Sequence, residues 1–178
     1  MRIRNLVAAG ALVVAAGVIP AVTIPRTDSA SAVEGPTLFD KDTYSPITGY
    51  AGKCIDIPWS ASVDGAQLQL WDCNDTNAQG WRFSAGTGVG PIYGLGKCMD
   101  VAWGSVENGA KIQLAYCNKG PAQDFVLSAA GDLVNPQSNK CVQVRDWNSD
   151  SGAALELWDC TGGANQKWSH KYPMRRLA

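Results

Sequence analysis

Gly52-Lys53-Cys54-Ile55-Asp56-Ile57-Pro58-Trp59 opens a stretch that continues through Asp64-Gly65-Ala66 and Gln67-Leu68-Gln69-Leu70-Trp71-Asp72-Cys73 to Gln79-Gly80-Trp81. Most of its pattern returns twice. Gly96-Lys97-Cys98-Met99-Asp100 leads through Asn108-Gly109-Ala110 and Ile112-Gln113-Leu114 to Cys117 and Gln123-Asp124-Phe125. Asn139-Lys140-Cys141-Val142-Gln143 leads through Gly152-Ala153 and Leu155-Glu156-Leu157-Trp158-Asp159-Cys160 to Gln166-Lys167-Trp168. In every copy the two cysteines stand 19 residues apart, a Gly falls 11 after the first, and an aromatic comes 8 after the second. Successive copies are offset by 44 and then 43 residues. A unit this short cannot bury a core alone, so the three copies must share one.

Within a copy the reading is all-β. The segment Cys54-Ile55-Asp56-Ile57 alternates apolar with polar residues, as does Gln67-Leu68-Gln69-Leu70-Trp71. That period of two marks half-buried strands. Residues 45–50, 91–95 and 132–135 read as short opening strands. Asp64-Gly65 and Asn108-Gly109 are turn dipeptides, because Gly tolerates positive φ and Asx side chains bond the nearby backbone. Beyond the N-terminal segment no apolar 3.6-residue period persists for three turns. About four short strands per copy, twelve in all, can close a barrel and so remove most exposed sheet edges. Trp81, Phe125 and Trp168 occupy equivalent places and are the aromatics expected to meet in its core.

The N-terminus carries Arg2 and Arg4, an apolar run over 6–19, and small residues ending at Ala30-Ser31-Ala32. This is the layout of an export signal, with cleavage expected after Ala32. Pro20 and Pro25 interrupt the run, short of the roughly 20 apolar residues a membrane span needs. No cysteine near the cleavage point offers a lipid anchor. The expected organisation is therefore a signal peptide at 1–32, an irregular lead at 33–44, a repeat domain at 45–170 and a basic tail at 171–178. The repeats fall at about 45–85, 90–129 and 132–170. The chain is placed as secreted and extracellular.

Arg2, Arg4, Arg26 and Asp28 fall in the signal, so the rest of a chain of net charge −1 is more acidic still. No basic stripe is present to grip phosphates, which argues against nucleic acid as a partner. Six cysteines in an exported chain read as three disulfides. Of the 15 pairings that six thiols allow, identical within-copy spacing favours Cys54–Cys73, Cys98–Cys117 and Cys141–Cys160. No Cys-x-x-Cys pair occurs and His170 is the only histidine, so no zinc site or other metal is expected. No cofactor is expected either, and nothing in the sequence specifies an oligomeric state.

The thrice-repeated Gly/Asn-Lys-Cys, the Asp two residues on, the Gln-Leu-Trp-Asp-Cys-like strand and the closing Gln-x-Trp resemble the ricin-type lectins and the related family 13 carbohydrate-binding modules. The resemblance covers residues 44–170. It implies a β-trefoil with pseudo-threefold symmetry and one potential shallow sugar pocket per copy. The implied ligand is a mono- or polysaccharide. By the same resemblance, the Asp two after the first cysteine accepts sugar hydroxyls and the aromatic two before the second cysteine is the platform. An Asn five after that cysteine and the Gln next to it complete the set.

The chemistry of such a pocket is general. A carboxylate accepts from vicinal hydroxyls, and charge-assisted bonds are the stronger kind. A ring supplies an apolar, quadrupolar face for sugar C–H groups. Amides read the remaining hydroxyls. Mapped onto this chain, no copy is complete. The first has Asp56, Trp71 and Gln79 but Ala78 where Asn is expected, with Asn74 and Asn77 near enough to compensate. The second keeps Asp100 and Gln123, but Ala115 replaces the ring and Ala122 the Asn. The third keeps Trp158, Asn165 and Gln166, while Gln143 replaces the carboxylate. Trp59 and Trp103 occupy a loop position that lines the pocket in relatives, and Trp147 sits one place later. The first copy ranks highest, the third next and the second last.

Catalysis is not expected. A glycosidase pair needs carboxylates about 5–9.5 Å apart, whereas points related by a threefold axis in a domain this size stand roughly 25 Å apart, which removes Asp56 and Asp100 as a pair. His170 has no recognisable nucleophile elbow or triad partner in the sequence. The expected function is a secreted, non-catalytic module recognising galactose- or xylose/arabinose-type glycans. The alternative is a trefoil scaffold whose surface meets a protein partner, as in protease inhibitors or toxin assemblies, with degenerate sugar sites.

Overall fold

The computed structural model describes residues 44–84 and 88–171, all within one compact unit spanning 35–178. The expected signal segment, the lead up to residue 43 and the tail from residue 172 lie outside the described residues. The first repeat forms β1 (Ile47–Thr48), β2 (Cys54–Asp56), β3 (Ala66–Gln67), β4 (Gln69–Trp71) and β5 (Arg82–Phe83). The second forms β6 (Gly90–Gly94), β7 (Lys97–Val101), β8 (Ile112–Ala115) and β9 (Asp124–Leu127). The third forms β10 (Leu133–Asn135), β11 (Lys140–Val144), β12 (Ala153–Trp158) and β13 (Ser169–His170).

The first and last strands of each repeat build a closed barrel. Between repeats, β13 pairs with β1, β5 with β6 and β9 with β10, all antiparallel. Within repeats the ring is completed by β6 with β9 and by the bridges Ser45–Trp81 and Asp132–Lys167. His170 therefore belongs to the barrel, paired with Ile47. The middle strands form three hairpins, β2/β4, β7/β8 and β11/β12. Each leans on the next: β3 pairs with β8, β12 with β4, and Lys111 bridges Glu156. Six barrel strands capped by a triangle of hairpins make a β-trefoil.

Among the described residues thirteen strands appear where twelve were expected, because 67–71 does not run unbroken. At Leu68 the backbone N–H turns to Ile112 O at 2.9 Å, and its carbonyl accepts from Leu155 N–H at 3.0 Å. The Gln67 side-chain amide closes the junction. Its Nε2 lies 2.9, 3.0 and 2.8 Å from the carbonyl oxygens of Leu68, Ile112 and Leu155. These three carbonyls are equivalent in the three repeats, so one side chain sits where the pseudo-threefold axis passes between them.

Trp81, Phe125 and Trp168 are buried in the core. Both tryptophans donate Nε1–H to a hairpin carbonyl, Ile55 O and Val142 O, each at 2.9 Å. Each also faces a glycine at the end of the next barrel strand, Gly94 closing β6 and Gly49 directly after β1. A Cβ on Gly94 would stand 2.7 Å from the Trp81 ring, and one on Gly49 2.3 Å from Trp168. Opposite the smaller Phe125 the equivalent residue is Asn135, whose Nδ2 donates to Pro121 O and Asp124 O. The disulfides are Cys54–Cys73, Cys98–Cys117 and Cys141–Cys160, one in each repeat.

Candidate functional site

Hairpin register decides what faces the pocket. In the first repeat Asp56 on β2 stands opposite Gln69 on β4. Gln69 Nε2 donates to Asp56 Oδ1 at 2.8 Å, and Gln79 Nε2 to Oδ2 at 3.1 Å. Gln79 also donates to Asp72 O and accepts from Asn74 N–H, each at 2.9 Å. It is buried and its amide is spent on the protein, so it holds the carboxylate and the following loop in place. Asp56, Trp59, Gln69, Trp71, Asn74 and Thr76 border one cavity of about 250 Å³. Trp71 is 38 % exposed and Trp59 95 %. Trp59 adopts φ 59°, a strained conformation for a residue with a Cβ, and stands out from the surface rather than packing down. The Asn74 Oδ1 accepts from Thr76 N–H and Oγ1–H. Asn77 borders a neighbouring cavity beside Tyr44 and Pro46.

The second repeat reproduces the polar frame without the platform. Gln113 and Gln123 donate to Asp100 at 2.8 and 3.0 Å, and Gln123 again holds a carbonyl, Tyr116 O, and an amide, Asn118 N–H. Ala115 leaves no ring on that strand. Trp103 adopts φ 61° and is fully exposed. Tyr116, one residue beyond the vacant position, is also exposed.

In the third repeat the carboxylate is displaced across the hairpin, not lost. Gln143 stands opposite Glu156, reversing the Asp-opposite-Gln order of the other two. Gln143 Nε2 donates to Glu156 Oε1 at 2.9 Å, and Gln143 Oε1 accepts from Gln166 Nε2 at 3.0 Å and Asn165 Nδ2 at 3.3 Å. Glu156 is buried and its Oε2 accepts from Arg145 Nε at 2.6 Å. Reading position by position along one strand, the sequence places no acid here; the cross-strand pair supplies it. Trp158 keeps the platform, 38 % exposed like Trp71. Asn165 is buried, donates to Val144 O at 3.1 Å, and its Oδ1 has no hydrogen-bond partner among the described residues. The Trp147 ring packs over Gly163, where a Cβ would meet it at 2.7 Å, and edge-on against Tyr50. Gln166, buried like Gln79, bonds Asp159 O and Thr161 N–H.

One arrangement resembles hydrolase chemistry. His170 Nε2 lies 2.8 Å from Ser45 Oγ, a pairing the sequence did not reveal. But the same nitrogen lies 3.1 Å from Trp81 O, and Ser45 Oγ donates to Lys171 O at 2.6 Å. A carbonyl only accepts, so Nε2 carries the proton and donates. It is not a base for Ser45, and the pair instead ties the two ends of the barrel together. Burial holds this imidazole below its ordinary pKa, partly offset by hydrogen bonds to the backbone of Trp81 and Ser45. Among the described residues no group of three His, Cys, Asp or Glu side chains could hold a metal ion, and no helix is long and apolar enough to cross a membrane.

Comparison with known proteins agrees with the geometry. Residues 43–168 match the family model described as the ricin-type beta-trefoil lectin domain. Serine protease 1 of Rarobacter faecitabidus is 55 % identical over 126 residues, covering 71 % of this chain but only 23 % of that protein. This chain thus spans under a quarter of that curated relative's length. A designed 3-fold symmetric protein, ThreeFoil, superposes with a TM-score of 0.67 at 26 % identity, over 70 % of this chain and 95 % of that one. An exo-β-1,3-galactanase from Clostridium thermocellum superposes with a TM-score of 0.66 at 25 % identity, over 71 % of this chain and 29 % of that one.

Proposed function

Because this chain belongs to the ricin-type beta-trefoil lectin family, we propose that it is a secreted, non-catalytic module that binds glycans through the pocket of its first repeat. The observation that carries this reading is the convergence of Asp56, Trp71 and Trp59 on one cavity. Asp56 accepts from two sugar hydroxyls beside the bonds it takes from Gln69 and Gln79. The Trp71 face receives the sugar C–H patch, Trp59 adds a second ring, and Asn74 reads an outer hydroxyl. Gln79 and Gln166 act as positioning residues, since their amides are already engaged. The sugar class is galactose-type or xylose/arabinose-type; the structural likeness to an exo-β-1,3-galactanase favours the former. The protease activity named for the Rarobacter relative is not carried over.

Weakness is built into such a pocket. A millimolar site has only about 4 kcal/mol in hand, and each bond to a charged group contributes roughly 1.5–3 kcal/mol. Useful affinity then comes from several pockets on one polymer. A second reading, a trefoil surface that meets a protein partner, is favoured by Ala115 and Ala122 in the second repeat, which leave that pocket without ring or amide. A glycan array probed with the protein separates the two. Retention on galactose- or pentose-containing glycans is expected; uniform silence across the array would leave the protein-partner reading.

A further inference from the structure

The candidate site of the third repeat differs from the first pocket in charge. In the first, the buried carboxylate of Asp56 has only neutral amides as partners, Gln69 and Gln79. In the third, the buried carboxylate of Glu156 is held by a guanidinium, Arg145. Arg145 follows Gln143 by two residues; the equivalent positions are Pro58 and Ala102, so the cation belongs to this repeat alone. Among the described residues only its Nε is used, on Glu156 Oε2. The side chain is 44 % exposed, and the terminal nitrogens remain as donors beside the Glu156 carboxylate.

We propose that the third pocket takes carboxylated saccharides, uronic acids in particular, with Arg145 receiving the sugar carboxylate and Trp158 the ring face. This rests on the sugar-binding reading above and adds a substrate class to it. A guanidinium fork matches a carboxylate in two parallel hydrogen bonds. Its pairing with Glu156 fixes the fork before a ligand arrives, so little side-chain entropy is lost on binding. Asp56 has no such cation, and at the first pocket an acidic sugar would meet an uncompensated negative charge. One chain thus presents two pockets of opposite preference, suited to a polymer in which neutral and acidic sugars alternate or neighbour one another.

The test is an NMR titration that follows the indole N–H signals of Trp71 and Trp158 separately. The probes are digalacturonate and its dimethyl ester, which keeps the sugar and removes the charge. Trp158 is expected to respond to the acid at roughly tenfold lower concentration than to the ester, with the gap narrowing as salt is raised. Arg145→Gln keeps a donor for Glu156 and should erase the gap; Arg145→Lys should keep part of it. An unchanged Trp71 response to neutral galactose oligosaccharides shows that either variant is folded. Equal response of Trp158 to acid and ester, or a gap that survives Arg145→Gln, overturns the assignment. If Trp71 ignores every neutral sugar while Trp158 prefers the acid, the reading of the first pocket fails and this one stands. Silence of both indoles rejects both.

Discussion

Trp59 shows how a single residue can be costly to the fold and still be kept. It is almost wholly exposed and holds a left-handed backbone conformation, which stores of order 1 kcal/mol or more. Nothing is gained in packing to offset that, whereas a ring standing beside the Asp56 cavity gains contact once a sugar arrives. Trp59→Gly should therefore leave the melting temperature unchanged or raise it by a few degrees, while weakening sugar binding. A thermal melt paired with a binding titration checks both signs; a large drop in stability would show that the indole packs in the fold. Asp56 and Trp71 were singled out by the family resemblance, which sets each role at a fixed distance from the cysteines. Glu156 was not, because its relation to Asp56 runs through a cross-strand pair that no single-strand rule can see.

At the scale of elements, the sequence periodicity located the hairpins and their bridges but not their junction. The break at Leu68 depends on three carbonyls meeting around Gln67, a long-range arrangement. Gln67→Glu would set carboxylate oxygens against three carbonyl oxygens, and the loss of stability should exceed that of Gln67→Met, which only leaves acceptors unmade at about 1–3 kcal/mol. Denaturant unfolding of the two variants ranks them; the reverse order would mean that the amide is not a donor at this junction. The barrel seam carries a second coupling. Where Trp81 and Trp168 face glycines, the equivalent place in the third repeat holds Asn135, whose amide bonds the Asp124 carbonyl next to Phe125. Phe125→Trp alone should overpack and cost about 1–3 kcal/mol, and adding Asn135→Gly should recover much of it. Additive effects in that double-mutant cycle would contradict the pairing.

The whole molecule is closed by the antiparallel pairing of β1 with β13 and by the Ser45–His170–Trp81 bonds across it. Because burial depresses the His170 pKa in the folded state, the unfolded chain takes up this proton first as pH falls. Stability should therefore decline from about pH 6.5 downward and level off once the folded imidazole also titrates. His170→Gln should flatten that part of the profile, measured as denaturation midpoint against pH; an unchanged slope would place its origin elsewhere. Threefold architecture and the within-repeat bridges were readable in the sequence because they repeat, whereas the His170 bonds across this seam do not, since Phe83 and Leu127 stand at the equivalent places of the other two seams. The most direct measurement is a calorimetric titration of a galactose-type oligosaccharide into the unaltered protein and into the Asp56→Asn and Asp100→Asn variants. Affinity is expected to fall roughly tenfold or more with Asp56→Asn and to stay nearly constant with Asp100→Asn. Equal losses from the two, or binding indifferent to both, would contradict the assignment of sugar binding to the first pocket.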